Sequence, residues 1–121
     1  MKFTLIALVG AAATANAADY QRLNLPDPQN WIAASSLFPG DVIAGYNADY
    51  NKYDKESWAN YILDQCKGFS ACTSTISYSA INSGTPKERY WFGYVFRGGK
   101  TTEQDYQRAD GVMDSVIYEI V

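Results

Sequence analysis

The segment Arg89 to Arg97, RYWFGYVFR, limits what this chain can become more than any other stretch. In an extended backbone successive side chains point to opposite faces. Tyr90, Phe92, Tyr94 and Phe96 therefore line one face, and Trp91 and Val95 the other. A strand that is apolar on both faces is expected at the centre of a sheet. Gly98-Gly99 ends it.

The same alternation marks further strands. Thr73 to Ile81 (TSTISYSAI) is rich in β-branched residues, with Ile76, Tyr78 and Ala80 on one face and Ser77 and Ser79 on the other. Ser115 to Val121 (SVIYEIV) closes the chain as a strand, and Asp41 to Tyr50 (DVIAGYNADY) reads as a first extended segment led by Val42, Ile43 and Tyr46. Between the first and second strands lies the clearest helix. Asp54 can serve as N-cap, Glu56 places negative charge in the first turn, and Gly68 sits where the helix should stop. Trp58, Tyr61, Ile62 and Cys66 recur at spacings of three, one and four, which is one helical face. Asn82 to Lys87 is a turn region, and a short helix is expected over Glu103 to Arg108, capped by Thr101 or Thr102.

Residues 18–40 carry Pro26, Pro28, Pro39 and Gly40. They read as an irregular N-terminal arm packing through Trp31-Ile32 and Leu37-Phe38, with a helical turn near Gln29 to Ala34. Residues 41–121 then form a single α+β domain, one main helix packed on a small antiparallel sheet.

The first 17 residues, MKFTLIALVGAAATANA, combine a basic Lys2, an apolar run from Phe3 to Val9 and a small-x-small site at Ala15-Asn16-Ala17. This is the pattern of a secretory signal peptide, and the run is too short for a membrane anchor, which needs about 20 apolar residues. Loss of Lys2 would take the formal net charge from −3 to −4. An acidic balance with no Lys/Arg cluster argues against nucleic acid and anionic membranes as partners. In a secreted chain the two cysteines, Cys66 and Cys72, imply a disulfide. Closing so short a loop contributes about 2 to 3 kcal/mol on loop-entropy arithmetic. Cys66 lies near the end of the helix's buried face and Cys72 opens the next strand, so the bridge should tie helix to strand.

The helix ending in Cys66, the short loop to Cys72, and the strand YWFGYVFRGG together resemble the core of PAN/apple-type domains. The resemblance spans about residues 41–121. It is closest to the small secreted proteins of filamentous fungi that carry a similar core. It implies a helix-to-strand staple formed by Cys66 and Cys72, a non-catalytic module contacting proteins or carbohydrates, and an extracellular or wall-associated role. PAN/apple domains usually hold further cysteines, which this chain lacks, and the family has no universal binding residues to transfer.

The chain has no histidine, which removes the commonest general acid/base and the Ser-His and Cys-His nucleophile pairs. It also removes the commonest zinc ligand. No cofactor is expected. Paired carboxylates remain available for glycoside hydrolysis, among Asp41, Asp49, Asp64, Asp105, Asp110, Asp114 and Glu119, but their spacing singles out no pair. Asn47, Asp49, Asn51 and Asp54 could present oxygens to calcium, yet they lack the Gly and terminal Glu of an EF-hand loop. Turn chemistry explains them as well. Gly98-Gly99-Lys100-Thr101 lacks the first Gly of a phosphate loop.

Ten tyrosines exceed what a core of this size needs. Tyr46, Tyr50 and Tyr53, interleaved with Asn and Asp, form the candidate recognition segment, since exposed Tyr offers large contact area with a polar tip. Packing under the helix is the alternative for Tyr46 and Tyr53. Trp91 is a further candidate, placed either in the core or facing a ligand. The expected function is a small secreted binding module for a carbohydrate or protein partner. The alternative is a small secreted hydrolase that uses carboxylates.

Overall fold

A computed structural model of the chain describes residues 19–121; the leader segment 1–17 lies outside the described residues. Among the described residues there are seven strands and one α-helix: β1 (Tyr20–Arg22), β2 (Trp31–Ala33), β3 (Val42–Asp49), α1 (Lys55–Lys67), β4 (Ser74–Ile81), β5 (Arg89–Phe96), β6 (Tyr106–Arg108) and β7 (Met113–Ile120). Five strands form one sheet in the order β1-β7-β4-β5-β3, and β2 pairs with β6 in a separate two-stranded ribbon. Every pairing is antiparallel. The molecule is an α+β structure, as the alternation and the single helical stripe require.

The helix forms where local chemistry places it. Asp54 Oδ1 accepts the Ser57 amide at 2.8 Å, while Ser57 Oγ accepts the Asp54 amide at 2.9 Å, a reciprocal cap that satisfies two otherwise orphaned donors. Burial of the Trp58, Ile62 and Cys66 stripe holds the helix on one face of the sheet, against Trp91 and Val95 of β5. Gly93 permits the close seating, because a Cβ there would lie 2.3 Å from Ile62 Cδ1. Ser77 and Ser79 also lie under this layer and are buried. Their alternation with Ile76 and Tyr78 thus separates a small-residue buried face from a large-residue one, not wet from dry. The Ser79 hydroxyl donates to Asp114 Oδ2 at 2.9 Å and accepts from Arg89 Nη1 at 3.0 Å, which offsets its burial.

The Cys66–Cys72 disulfide is present. It joins the last turn of α1 to the loop two residues ahead of β4, so it fastens helix to loop and not helix to strand. The Tyr20 hydroxyl donates to the Cys72 carbonyl at 2.9 Å, pinning the same corner to β1.

Three other expectations change. β4, not β5, is the middle strand; β5 is interior, between β4 and β3. Residues 19–40 are not an irregular arm with a helical turn: Tyr20–Arg22 adds an edge strand beside β7, and Trp31–Ala33 is a strand paired with β6. The Trp31 backbone is held through both its amide and carbonyl by the buried Ser115 hydroxyl, at 2.9 and 2.8 Å, and the Arg108 guanidinium lies 4.2 Å over its ring. These long-range contacts outweigh weak local helix preference. The expected helix over Glu103 to Arg108 is a 3-10 turn at Glu103–Asp105 running into β6. Burial of Tyr106, whose hydroxyl donates to Thr101 Oγ1 at 2.9 Å, selects the extended form.

The face of the sheet opposite α1 carries a second core. There Leu25, Trp31, Leu37 and Tyr106, from the ribbon and its flanking loops, cover Ile76, Phe96 and Ile117. The ribbon reaches over β4 and β7. The Tyr90–Phe92 half of β5, with Asn47 and Asp49 of β3 beside it, lies beyond that core.

Candidate functional site

The structure gathers Tyr46, Tyr50, Tyr53 and Trp91 into one aromatic cluster, of which Trp91 is buried, Tyr46 and Tyr53 are partly buried and Tyr50 is exposed. Tyr46 stands opposite Gly93 on the helix side of β3 and meets Tyr61 edge-on, with ring centroids 6.0 Å apart. Burial pushes its phenol pKa up, and the neighbouring Tyr61 adds to the rise. Tyr53 packs on Trp58 and Tyr61 at 4.8 and 5.8 Å. Both are half-buried beneath or beside the helix. Trp91 is only 2% exposed, and its indole N–H donates to the Tyr50 carbonyl at 2.8 Å. It lies on the face that Gly93 lets the helix approach, opposite to Tyr90 and Phe92, and packs there against Trp58. Tyr50 is the outward member: it is 42% exposed and stacks on Trp91 at 5.1 Å with planes 26° apart.

A longer row of partly exposed rings lies on the opposite face. Tyr90, Phe92 and Tyr94 alternate along β5 and are all partly exposed. At about 3.4 Å per residue they span about 14 Å. Cross-strand register puts Tyr78 beside Phe92, with centroids 5.9 Å apart, and puts Asn47 and Asp49 of β3 beside Phe92 and Tyr90. Gly45 stands opposite Tyr94, and a Cβ there would meet Tyr94 Cε1 at 2.8 Å. The missing side chain lets the tyrosine ring lie across the edge strand. Phe38, 43% exposed, closes this end by meeting Tyr94 edge-on at 5.3 Å.

Three hollows follow the row of rings. One of about 120 Å³ is lined by Ile32, Ala33, Phe38, Tyr78 and Tyr94. The next, about 270 Å³, lies among Asn47, Asn82, Tyr90 and Phe92. The last, about 490 Å³, is bounded by Asp49, Tyr50, Asn51, Glu88, Arg89 and Tyr90. Tyr90 belongs to both the second and the third, so the surface runs continuously from the β5 face to Tyr50. Tyr78 is the deepest ring of the row. Burial, with the Tyr94 phenol beside it, raises its pKa far above the ordinary tyrosine value and keeps it neutral. The strip is therefore apolar along its floor and amide- and carboxylate-bearing along its rim.

Asn47, Asp49, Asn51 and Asp54 do not converge as a calcium loop would need. Asp54 is occupied as the helix cap, while Asn47 and Asp49 are strand residues. Among the described residues no group of three or more Asp, Glu, Cys or His side chains could hold a metal ion.

Of the sequence candidates Tyr50 is the exposed one, and the sequence reading did not single out Tyr78, Tyr90, Phe92, Tyr94 and Phe38, which share the second surface. The available signal was an imbalance of layers. One long helix can cover one face of β5, and little apolar sequence remains to cover the aromatic face completely. No family model matches the chain, and no curated protein or solved structure matches it at a significant level.

Proposed function

We propose that this protein is a secreted, non-catalytic module that binds a linear glycan along the Tyr94–Phe92–Tyr90–Tyr50 strip. The observation that carries the reading is a row of partly exposed rings, Tyr94, Phe92 and Tyr90, that runs from the edge of the second core to the exposed Tyr50. A pyranose offers an apolar C–H face that lies flat on an aromatic ring, while its hydroxyls reach amides and carboxylates at the margin. Asn47, Asn82 and Asp49 supply such groups. Hollows aligned with one strand suit an extended polymer better than a compact molecule. Contiguous exposed apolar surface of this kind is also uncommon on a protein without a binding role.

Secretion is supported by the leader pattern of residues 1–17 and by the disulfide, which persists in oxidising compartments. No helix among the described residues is long and apolar enough to cross a membrane. The PAN/apple-like resemblance belongs to this proposal; a helix on an antiparallel sheet with a bridge at the helix end supports it.

The carboxylate-dependent hydrolase has one observation in its favour, since Asp49 and Glu88 line the same hollow. A glycosidase acid keeps its proton because apolar surroundings hold it, and both of these residues are exposed. The binding reading is the stronger.

Retention on insoluble chitin, β-glucan and cellulose tests it. The purified protein should be retained on at least one polymer, and Tyr90→Ala/Phe92→Ala should weaken retention roughly tenfold, the equivalent of one aromatic stacking contact. A folded protein that passes through all three would refute the carbohydrate reading and point to a protein partner. Release of reducing ends from a retained polymer would establish the hydrolase instead.

A further inference from the structure

We propose that the hollow at the Tyr50 end of the strip holds the ammonium group of an amino sugar, so that the preferred ligand is a linear glycan carrying free amines, of the polyglucosamine class. The inference rests on the glycan reading above and adds charge to it. The hollow of about 490 Å³ sets two tyrosine rings, Tyr50 and Tyr90, beside two carboxylates, Asp49 and Glu88. Trp91 covers one face of the Tyr50 ring and fixes its plane, while the remainder is open to solvent. Ring faces and carboxylates share one ligand preference. Both attract a cation, the rings through their quadrupole and the carboxylates through charge-assisted hydrogen bonds.

Among the described residues no cationic group is directed into this place. Arg89 lines the hollow, but its guanidinium is turned into the sheet's other side, where Nη1 donates to Ser79 Oγ at 3.0 Å and Nη2 to the Gly111 carbonyl at 3.1 Å. Lys52 and Lys87 are outside the lining. Among the described residues the one salt bridge is Arg22–Glu56, so neither Asp49 nor Glu88 is neutralised internally. A neutral glucan on the strip would leave both carboxylates without a counter-charge, and an acidic glycan would be repelled. An amine-bearing chain would satisfy the rings of β5 with its sugar faces and the end hollow with its charge. The net charge of −3 favours the encounter at longer range.

Hexamers of glucosamine, N-acetylglucosamine and glucose separate the possibilities, titrated calorimetrically at low salt and at a mildly acidic pH where glucosamine is protonated. The glucosamine hexamer should bind at least threefold tighter than the other two, and added salt should narrow the gap. Asp49→Asn/Glu88→Gln should reduce its affinity roughly three- to tenfold, the range of two exposed charge contacts, bringing it level with the acetylated hexamer. The near-ultraviolet dichroism of the stacked Tyr50–Trp91 pair reports that the variant is folded. Equal affinities for the three hexamers, or a preference that survives the double substitution, would overturn the inference and leave the glycan reading standing. Absence of binding to every hexamer and every polymer would remove the glycan reading itself. Tighter binding of a lysine-rich peptide than of any glycan would overturn the inference in favour of a basic protein partner.

Discussion

Replacing Gly93 with alanine adds one methyl group at the point where the helix rests on the sheet. A Cβ built on Gly93 lies 2.3 Å from Ile62 Cδ1 and 2.5 Å from Ile62 Cγ1. Carbon atoms pack at about 3.5 to 4.0 Å, so each contact is short by more than about 1 Å. Ile62 is fully buried, with Trp58 and Cys66 beside it on the same stripe and Trp91 and Val95 of β5 beneath. Either the isoleucine leaves its rotamer or the helix lifts, and overpacking of this kind costs about 1 to 3 kcal/mol. The upper half of that range applies because the two clashing atoms are not at the free end of a surface chain. For a domain of this size the midpoint of thermal unfolding should fall by roughly 10 to 20 °C. Ile62→Ala alone should cost about 2 to 5 kcal/mol through its cavity. In the double variant the alanine methyl occupies the vacated space, so the combined loss should be smaller than the sum of the single losses by about 1 kcal/mol or more. Urea unfolding of the four proteins measures this directly. Additivity within about 0.5 kcal/mol, or a neutral Gly93→Ala, would refute the seating of the helix on β5.

Two further outcomes follow from the corners of the fold. Cys66→Ala/Cys72→Ala should lower stability by about 2 to 3 kcal/mol, and reductant should shift the melting curve of the native protein but not that of the variant; a curve insensitive to reductant would contradict the bridge's role. Hydrogen bonding to the Arg22 guanidinium holds the Glu56 carboxyl below its ordinary value, and the Ser57 amide does the same for Asp54. Because the folded values lie below the unfolded ones, both contributions are complete above the unfolded values, near 4 to 4.5, and are lost as pH falls through the lower folded values. Glu56→Gln should accordingly lose less stability than the native protein between pH 7 and about 3, read from urea midpoints, and an identical loss would contradict the assignment.

How much of this molecule could be read from its sequence depends on how local the cause is. The α1 helix was legible almost to the residue, because Asp54, Ser57 and the Trp58–Ile62–Cys66 stripe act within a few turns of one another. The core of each long strand was legible for the same reason, as was the pairing of the only two cysteines. The exposure of Tyr50 was legible because a short turn rich in Asn and Asp leaves few ways to bury it.

Tertiary structure decided what distant partners impose. Tyr20–Arg22 is a strand because β7, at the other end of the chain, offers it an open edge, and Trp31–Ala33 is a strand because β6 and Ser115 hold its backbone. The exposure of the β5 side chains was decided in the same way. Alternation separates Trp91 from Tyr90 and Phe92, but it does not say which face receives the helix. Gly93 and the small residues Ser77 and Ser79 made one face flat enough for α1, and that choice buried Trp91. The ribbon then covered Ile76, Phe96 and Ile117 on the other face, with Tyr94 packed at the margin, and left Tyr90 and Phe92 beyond that core and partly exposed. A strand's two faces follow from its own residues, whereas their burial depends on how much apolar surface the rest of the chain can bring against each.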